Sequence, residues 1–136
     1  MSIEWVKSSQ QPAIAQFIFA HGAGAGSDSD FMQIMAKQLS ECGIDVGLFD
    51  FEYMHIAKQT NKRRPPERAP KLLSYFEHIL SQADANLPLF IGGKSMGFFA
   101  KKGKLRAVII INTKCKTEEM MMLLFTLFTS LYMAQI

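Results

Sequence analysis

The sequence is poor in cysteine, in net charge and in proline, and each scarcity excludes a class of protein. Two cysteines in 136 residues exclude a disulfide-stabilised scaffold, and Cys42 and Cys115 are expected to be free thiols. Nine glycines and five prolines are too few for a collagen-like chain. A net charge of +3 is too small to indicate nucleic-acid binding. Hydrophobic residues, at 49% with 11 Phe, exclude a disordered chain and indicate one small globular domain.

The two ends of the chain differ in character. The N-terminus lacks a basic start followed by an apolar stretch, so no secretory signal is expected and a cytoplasmic location is predicted. No charged residue occurs in 120–136, a run that as a helix would span roughly 25 Å, short of the bilayer core of about 30 Å. This run is predicted to be a buried or aggregation-prone helix, with a membrane anchor or a segment without settled structure as alternatives.

Apolar runs of strand length alternate with stretches of helical spacing. The strand-like runs are 14–20, 44–51 and 87–91, and the helical stretches are 30–42 and 70–80. This alternation predicts an α/β fold with a mainly parallel sheet of three to four strands and flanking helices. Right-handed crossovers would place the carboxyl ends of the strands along one edge, where ligands bind in such folds.

Each predicted helix has an apolar stripe, and a polar stretch separates the second strand from the second helix. The stripes consist of Phe31, Ile34, Met35 and Leu39 in the first helix and of Leu72, Leu73, Phe76, Ile79 and Leu80 in the second. Residues 58–69, which include a basic Lys-Arg-Arg run at 62–64, are predicted to be an exposed loop. The basic run is expected to be solvated, with binding of an acidic substrate as the alternative.

The third strand leads into Gly93-Lys94-Ser95-Met96-Gly97, which matches the pattern G-x-S-x-G. Between a strand and a helix, this pattern forms a sharp turn that lifts a serine hydroxyl above the edge of the sheet. Glycines two residues to either side relieve crowding in such a turn. Ser95 is therefore predicted to be a nucleophile, with Gly93 and Gly97 as structural glycines of the turn.

A second glycine-rich segment follows the first strand, from His21 to Gly26. Its backbone N–H groups around Ala23 and Gly24, together with the N–H of Met96, are expected to stabilise a developing oxyanion. Gly22 is expected to shape the turn, and His21 is interpreted as a residue that shapes the loop rather than as a catalytic base.

Two nucleotide-binding patterns are only partly matched. A phosphate-binding loop would need glycine at the position of Pro88, so that interpretation fails. A dinucleotide loop would need a third glycine where Ser27 or Ser29 stands. Because Asp50 supplies an acidic residue near the end of the next strand, nucleotide binding stays an alternative. The histidines and cysteines show no metal-ligand spacing, and no metal or other cofactor is predicted.

Four segments in order resemble a family of small bacterial α/β-hydrolases, similar to dienelactone hydrolases and to the hydrolase-like testis-expressed proteins. The resemblance rests on residues 19–32, 48–54, 62–66 and 92–97. It implies a covalent acyl-enzyme mechanism without a cofactor, Ser95 as the nucleophile, and oxyanion donors at Met96 and in the Ala23–Gly24 region.

The resemblance covers residues 1–97, and the composition changes at residue 98. Residues 1–97 carry 9 basic and 10 acidic residues, whereas 98–136 carry 6 and 2. No histidine follows position 78, and the acids after Ser95 are Glu118 and Glu119, although the family order is Ser, then Asp or Glu, then His. The run 105–111 has the composition of a strand, but the eight residues 97–104 are too few for a parallel crossover of about a dozen. We therefore expect a truncated or frame-shifted hydrolase.

Taken together, the sequence predicts a partial α/β-hydrolase fold in residues 1–97, followed by an atypical basic and then apolar tail, 98–136. The predicted function is hydrolysis of an ester or similar acyl compound through a serine nucleophile, impaired as written. A non-catalytic interaction module is one alternative, and a nucleotide-binding fragment is another. The expected partner is a small acyl substrate rather than nucleic acid. The apolar run 120–136 leaves self-association and a membrane contact open.

Overall fold

The computed structural model describes residues 2–94 and 105–111, in which strands and helices alternate. The strands are β1 (Glu4–Val6), β2 (Ala15–Ala20), β3 (Ile44–Phe49), β4 (Leu89–Lys94) and β5 (Leu105–Ile111). The helices are α1 (Asp30–Glu41), α2 (Glu52–Thr60) and α3 (Ala69–Leu80).

The described strands form one mixed sheet in the order β1-β3-β2-β4-β5. Strands β2, β3, β4 and β5 run parallel to one another, whereas β1 pairs antiparallel with β3. The predicted α/β class and its parallel strands are therefore confirmed, and β1 is an additional edge strand. The expectation that residues 97–104 are too few for a parallel crossover is wrong, because β5 pairs in parallel with β4.

Strand β2 lies at the centre of the sheet because both of its faces are apolar. All six of its residues are buried, and successive side chains point to opposite faces. Phe17 and Phe19 pack in the cluster that includes α1, while Ile18 and Ala20 pack in the cluster that includes α2 and α3. Burial on both faces is typical of parallel strands covered by helices on each side.

Helix α1 has the predicted bounds, but its buried face is rotated from the predicted one. The Ser29 hydroxyl caps the helix by accepting from the Met32 N–H at 3.4 Å. Gly43 follows the helix with a φ of +93°, a backbone conformation that favours glycine. Ile34, which was predicted to face the core, is 47% exposed. The residues of α1 that are buried are Met32, Met35, Ala36, Leu39 and Ser40.

Helix α2 was not predicted, and its last three residues, 58–60, lie in the segment predicted to be a loop. The second strand ends at Phe49 rather than at Phe51, and α2 continues to Thr60. The left-handed residue Asn61 (φ 51°) ends the helix. The irregular segment between the two helices is therefore 61–68.

Helix α3 begins as predicted, with Pro70 in its first turn. Its stripe reaches the core through Phe76 and Ile79, which are buried against β3 and β4 residues. Leu72 and Leu80 pack at the margin of the same cluster.

Several predictions fall outside the described residues. They concern Ser95, Met96 and Gly97, the thiol of Cys115 and the apolar run 120–136. Within the described residues, no helix is both long enough and apolar enough to cross a membrane.

The packing of α3 on the sheet gives a matched pair of core and surface substitutions. Ile79 is 0% exposed and Ile34 is 47% exposed, and both lie within helices. We expect Ile79→Ala to lower the free energy of unfolding by about 2–5 kcal/mol because it leaves a cavity, and Ile34→Ala to change it by less than about 0.5 kcal/mol. Urea unfolding followed by circular dichroism measures both, and equal effects would contradict this arrangement of the helices.

Candidate active site

The carboxyl ends of β2 and β4 lie side by side at one edge of the sheet. Ala20, the last residue of β2, is in register with Gly93 of β4, and neighbouring strands lie about 4.8 Å apart. The glycine segment that starts at His21 therefore leaves the sheet beside the carboxyl end of β4. Gly93, predicted to lie in a turn, instead lies within β4, where it also pairs with Ile110 of β5.

The segment Gly22–Gly26, here called the glycine loop, is held at both ends and open in the middle. Gly22, Gly26 and the following Ser27 are buried, whereas residues 23–25 are exposed. A Cβ on Gly24 would meet no atom within 4 Å. The two predicted oxyanion donors in this loop, Ala23 and Gly24, thus lie in its open part.

His21 joins the glycine loop to the segment that follows β3. Its side chain is 0% exposed, and its Nδ1 lies 2.7 Å from the Gly22 carbonyl oxygen. The Phe51 N–H donates to Nε2 at 3.0 Å. Because Nε2 accepts this bond, the ring proton is on Nδ1 and is donated to Gly22.

The environment of His21 favours the neutral ring. Burial lowers the pKa of His21, and the hydrogen bond to Gly22 and the charge of Asp50 only partly oppose this effect. Asp50 Oδ1 lies 3.9 Å from Nε2, too far for a hydrogen bond. His21 is therefore a neutral structural bridge, which agrees with its predicted loop-shaping role.

Tyr53 gives the Gly22 carbonyl a second donor. Its hydroxyl donates to the Gly22 oxygen at 3.4 Å, and its ring packs edge-on against His21 with centroids 5.8 Å apart. Burial, together with the nearby carboxylates of Asp50 and Glu67, raises the pKa of Tyr53 to about 12. The hydroxyl therefore keeps its proton, and remains a donor, throughout the neutral range.

Asp50 holds the other end of the glycine loop. Its Oδ1 accepts the Ser27 N–H at 2.8 Å, and its Oδ2 pairs with Lys58 of α2. Lys58 also pairs with Asp28 at 2.9 Å. Burial opposes ionisation of Asp50, but hydrogen bonds from Lys58 and Ser27 outweigh it and hold the pKa of Asp50 below its ordinary value.

Gly26 is required by this arrangement because no side chain fits there. A Cβ at Gly26 would lie 2.8 Å from Asp50 Oδ1 and 2.8 Å from Lys58 Cε, closer than non-bonded atoms approach. The backbone of Asp50 is also held, since the Tyr75 hydroxyl donates to the Asp50 carbonyl oxygen at 3.0 Å. The loop and the β3–α2 connection thus pack as one unit.

A cleft of about 410 Å³ opens beside this unit, on the side of β3 and β1. Its lining combines apolar, carboxylate and hydroxyl side chains: Ser2, Glu4, Ser27, Leu48, Phe49, Asp50, Glu52, His55, Ile56 and Tyr75. In the described part of the chain, no group of three or more His, Cys, Asp or Glu side chains could hold a metal ion.

Sequence reasoning missed the side chains that anchor the loop. Tyr53 was assigned no role, and Asp50 was considered only as a ribose ligand. A signal was nevertheless present, because residues 50–53 follow β3 at the same sheet edge as the glycine loop. Polar and aromatic residues at that position were candidates for contacts with the loop.

Gly26 gives a direct test of the close contact. We expect Gly26→Ala to lower the free energy of unfolding by about 1–3 kcal/mol, because the new methyl group displaces Asp50 or Lys58 and strands buried hydrogen-bonding groups. Gly24→Ala is the matched control, since its Cβ enters open space. Thermal or urea unfolding compares them, and a neutral Gly26→Ala would contradict the packing.

Burial of a neutral His21 predicts acid sensitivity. Because the folded-state pKa of His21 is lowered, the unfolded chain binds the extra proton below about pH 6.5 and stability falls as the pH falls. The loss has a limiting slope of about 1.4 kcal/mol per pH unit for one proton. The lowered pKa values of Asp45 and Asp50 add their own losses only at lower pH, as the carboxylates protonate.

Urea unfolding between pH 7 and 5 measures this slope. We expect His21→Asn to remove it and His78→Asn, at an exposed position of α3, to retain it. A slope that persists in His21→Asn would show that another group carries the proton.

Comparisons with known proteins agree with the fold. The model of a family described as an alpha/beta hydrolase domain matches residues 13–123, a span that continues past residue 97, where the motif resemblance was expected to end. A search of curated proteins finds no match.

Among solved structures, a dienelactone hydrolase from Anabaena variabilis ATCC 29413 matches with a TM-score of 0.50 and 21% sequence identity. The match covers 78% of this chain and 54% of that one, so the chain spans about half the length of this neighbour. At this identity the likeness concerns the fold. With the family model matched over most of the sequence, the chain belongs to the alpha/beta hydrolase family.

Proposed function

We propose that this protein is a serine hydrolase that cleaves an ester or a similar acyl compound, with Ser95 as the nucleophile. The observation that carries the proposal is the register of Ala20 with Gly93. It brings the start of the glycine loop next to the strand that leads into the G-x-S-x-G pattern. An acyl-transfer site needs these two parts together, because the nucleophile and the oxyanion donors act on the same carbonyl group.

In the proposed reaction, the Ser95 hydroxyl oxygen forms a bond with the carbonyl carbon of the substrate. The carbonyl oxygen takes up the negative charge and is stabilised by the N–H of Met96 and by an N–H from the Ala23–Gly24 region. The bond to the leaving group then breaks, the alcohol departs with the serine proton, and water hydrolyses the acyl-enzyme. No metal or cofactor takes part in these steps.

His21 is not the base of this reaction, because both of its ring nitrogens are engaged with backbone groups. The family order places the catalytic histidine after the serine, and the sequence has none after position 78. We therefore assign the nucleophile and the oxyanion donors to residues of this sequence and name no base among them. Oxyanion binding alone accounts for roughly 10³–10⁴-fold over water.

Nucleotide binding is less well supported. The acidic residue that would bind a ribose hydroxyl is Asp50, and its carboxylate already accepts from Ser27 and pairs with Lys58.

The substrate class follows the family, since esters are typical acyl donors for a nucleophilic serine. The solved neighbour is a dienelactone hydrolase, and lactones are cyclic esters.

A fluorophosphonate probe tests the nucleophile. The serine oxygen bonds to phosphorus, the P–F bond breaks, fluoride leaves and the hydroxyl proton passes to solvent. We expect one adduct per chain, located on Ser95 by peptide mass spectrometry and absent in Ser95→Ala. Ser74→Ala, which changes an exposed serine of α3, should label like the parent.

Two outcomes would argue against the hydrolase. Equal labelling of Ser95→Ala would place the reactive group elsewhere, and a folded protein that takes no label would favour the non-catalytic interaction module. A thermal shift with nucleotides would favour the nucleotide-binding alternative instead.

A further inference from the structure

The carbonyl of Gly22 receives two hydrogen bonds from buried side chains, more than a turn requires for its own stability. His21 Nδ1–H donates at 2.7 Å and the Tyr53 hydroxyl at 3.4 Å. The donors come from two different segments, one beside the loop and one in the first turn of α2. Both rings are held in place by aromatic packing against Phe51, with centroids 5.4 Å and 6.3 Å away.

The tautomer of His21 is fixed by the same contacts. The Phe51 N–H donates to Nε2 at 3.0 Å, so this nitrogen carries a lone pair and the proton is on Nδ1. A backbone amide after β3 therefore determines that His21 donates to the carbonyl of Gly22. The chain of hydrogen bonds runs from Phe51 through His21 to Gly22.

Fixing this carbonyl also fixes the next amide. The peptide unit between Gly22 and Ala23 is planar, and in a trans peptide its C=O and N–H point in opposite directions. Because the C=O is directed at His21 and Tyr53, the Ala23 N–H is directed away from them. Gly22 is buried and Ala23 is exposed, so the peptide lies across the boundary between core and solvent.

The Ala23 N–H has no acceptor within residues 2–94, since none of the hydrogen bonds there begins at this nitrogen. An amide that is turned outward and left free, at the sheet edge beside β4, has the properties that an oxyanion donor needs. Gly24 lacks a comparable constraint, because neither anchor contacts the peptide that carries its N–H.

We infer that His21 and Tyr53 are positioning residues that aim the Ala23 N–H at the oxyanion of the acyl-transfer reaction. The inference rests on the proposed function and narrows it, from the Ala23–Gly24 region to the Ala23 amide. Neither side chain touches the reacting atoms. Because they hold the loop in place beforehand, the loop does not have to reorganise when negative charge develops on the substrate oxygen.

The kinetic test compares an ester with its thiono analogue, 4-nitrophenyl acetate and 4-nitrophenyl thionoacetate. Sulfur is a weaker hydrogen-bond acceptor than oxygen, so an aimed N–H accelerates the oxygen ester selectively. We expect Tyr53→Phe to lower the oxo-to-thiono ratio of kcat/KM about threefold to tenfold. This effect is smaller than the factor of about 10²–10³ in rate that is lost when a whole oxyanion donor is removed. A purely structural role would slow both esters equally and leave the ratio unchanged.

Matched variants separate positioning from packing. Ser81→Ala removes another hydroxyl that donates to a backbone carbonyl, at 2.6 Å from His78 O at the end of α3, and should leave the ratio unchanged. The side-chain amide of His21→Asn can still donate to the Gly22 carbonyl, whereas the amide of His21→Gln approximates the position of Nε2. We therefore expect the oxo-to-thiono ratio to fall less in His21→Asn than in His21→Gln. An unchanged ratio in folded Tyr53→Phe would overturn the inference.

A measurement independent of activity distinguishes this inference from the proposed function. In ¹⁵N spectra of the uniformly ¹⁵N-labelled full chain, we expect His21 to be neutral and protonated at Nδ1, and we expect the Ala23 amide resonance to move in Tyr53→Phe but not in Ser81→Ala. A proton on Nε2, or an Ala23 resonance that does not move, would overturn the inference even in a reactive enzyme. If these signals appear while Ser95 takes no fluorophosphonate, the proposed function fails and the fixed peptide stands.

Discussion

The site depends on one buried histidine that bridges two segments of backbone. His21 accepts from Phe51 and donates to Gly22, and thereby connects the end of β2 with the segment after β3. Buried backbone groups need partners, and at these two positions a strand ladder supplies none. An imidazole is suited to the task, because its neutral form has one donor and one acceptor nitrogen on opposite sides of a rigid ring. Because burial lowers the pKa of His21, we expect this arrangement to lose stability at acid pH.

Around this bridge, the sheet determines which loops can cooperate. The order β1-β3-β2-β4-β5 places β2 between the strand that carries the loop anchors and the strand that leads to Ser95. Asp50 and Tyr53 contact the glycine loop from the β3 side, while Gly93 approaches from the β4 side. The glycine loop thus has a rigid support on one flank and the carboxyl end of β4 on the other.

The sequence predicted the parts of the fold that depend on local pattern. β2 was recognisable because five of its six residues are apolar, with Gln16 as the exception, and because a glycine cluster follows it. α3 was recognisable because its apolar stripe begins just after a proline. Helix α2 was missed because only Tyr53 and Met54 are buried in it, too few to give an apolar periodicity. Three-residue β1 carries no pattern that distinguishes a strand from a coil. Ile34 was assigned to the core, although the face of α1 that meets the sheet is set by tertiary packing.

The candidate site could be predicted only in part for the same reason. The glycine patterns identified the loop, and Ser95 as the nucleophile stays a prediction. The contacts that hold the loop join residues about 30 positions apart, such as Tyr53 with Gly22 and His21 with Phe51. These partners are specified by three-dimensional proximity, which residue spacing does not encode.

The contacts that anchor the glycine loop also separate its constrained residues from those that are free to vary. Gly22 and Gly26 are constrained by their surroundings, whereas the side chains of Ala23 and Ala25 extend into solvent and support nothing in the described core. Natural variation at these two alanines can therefore alter the size and polarity of the loop's exposed surface without disturbing the Gly22 carbonyl that His21 holds. In evolutionary terms, the fold separates the loop residues that are free to vary from those that preserve the architecture, so that this surface can drift while the scaffold stays the same.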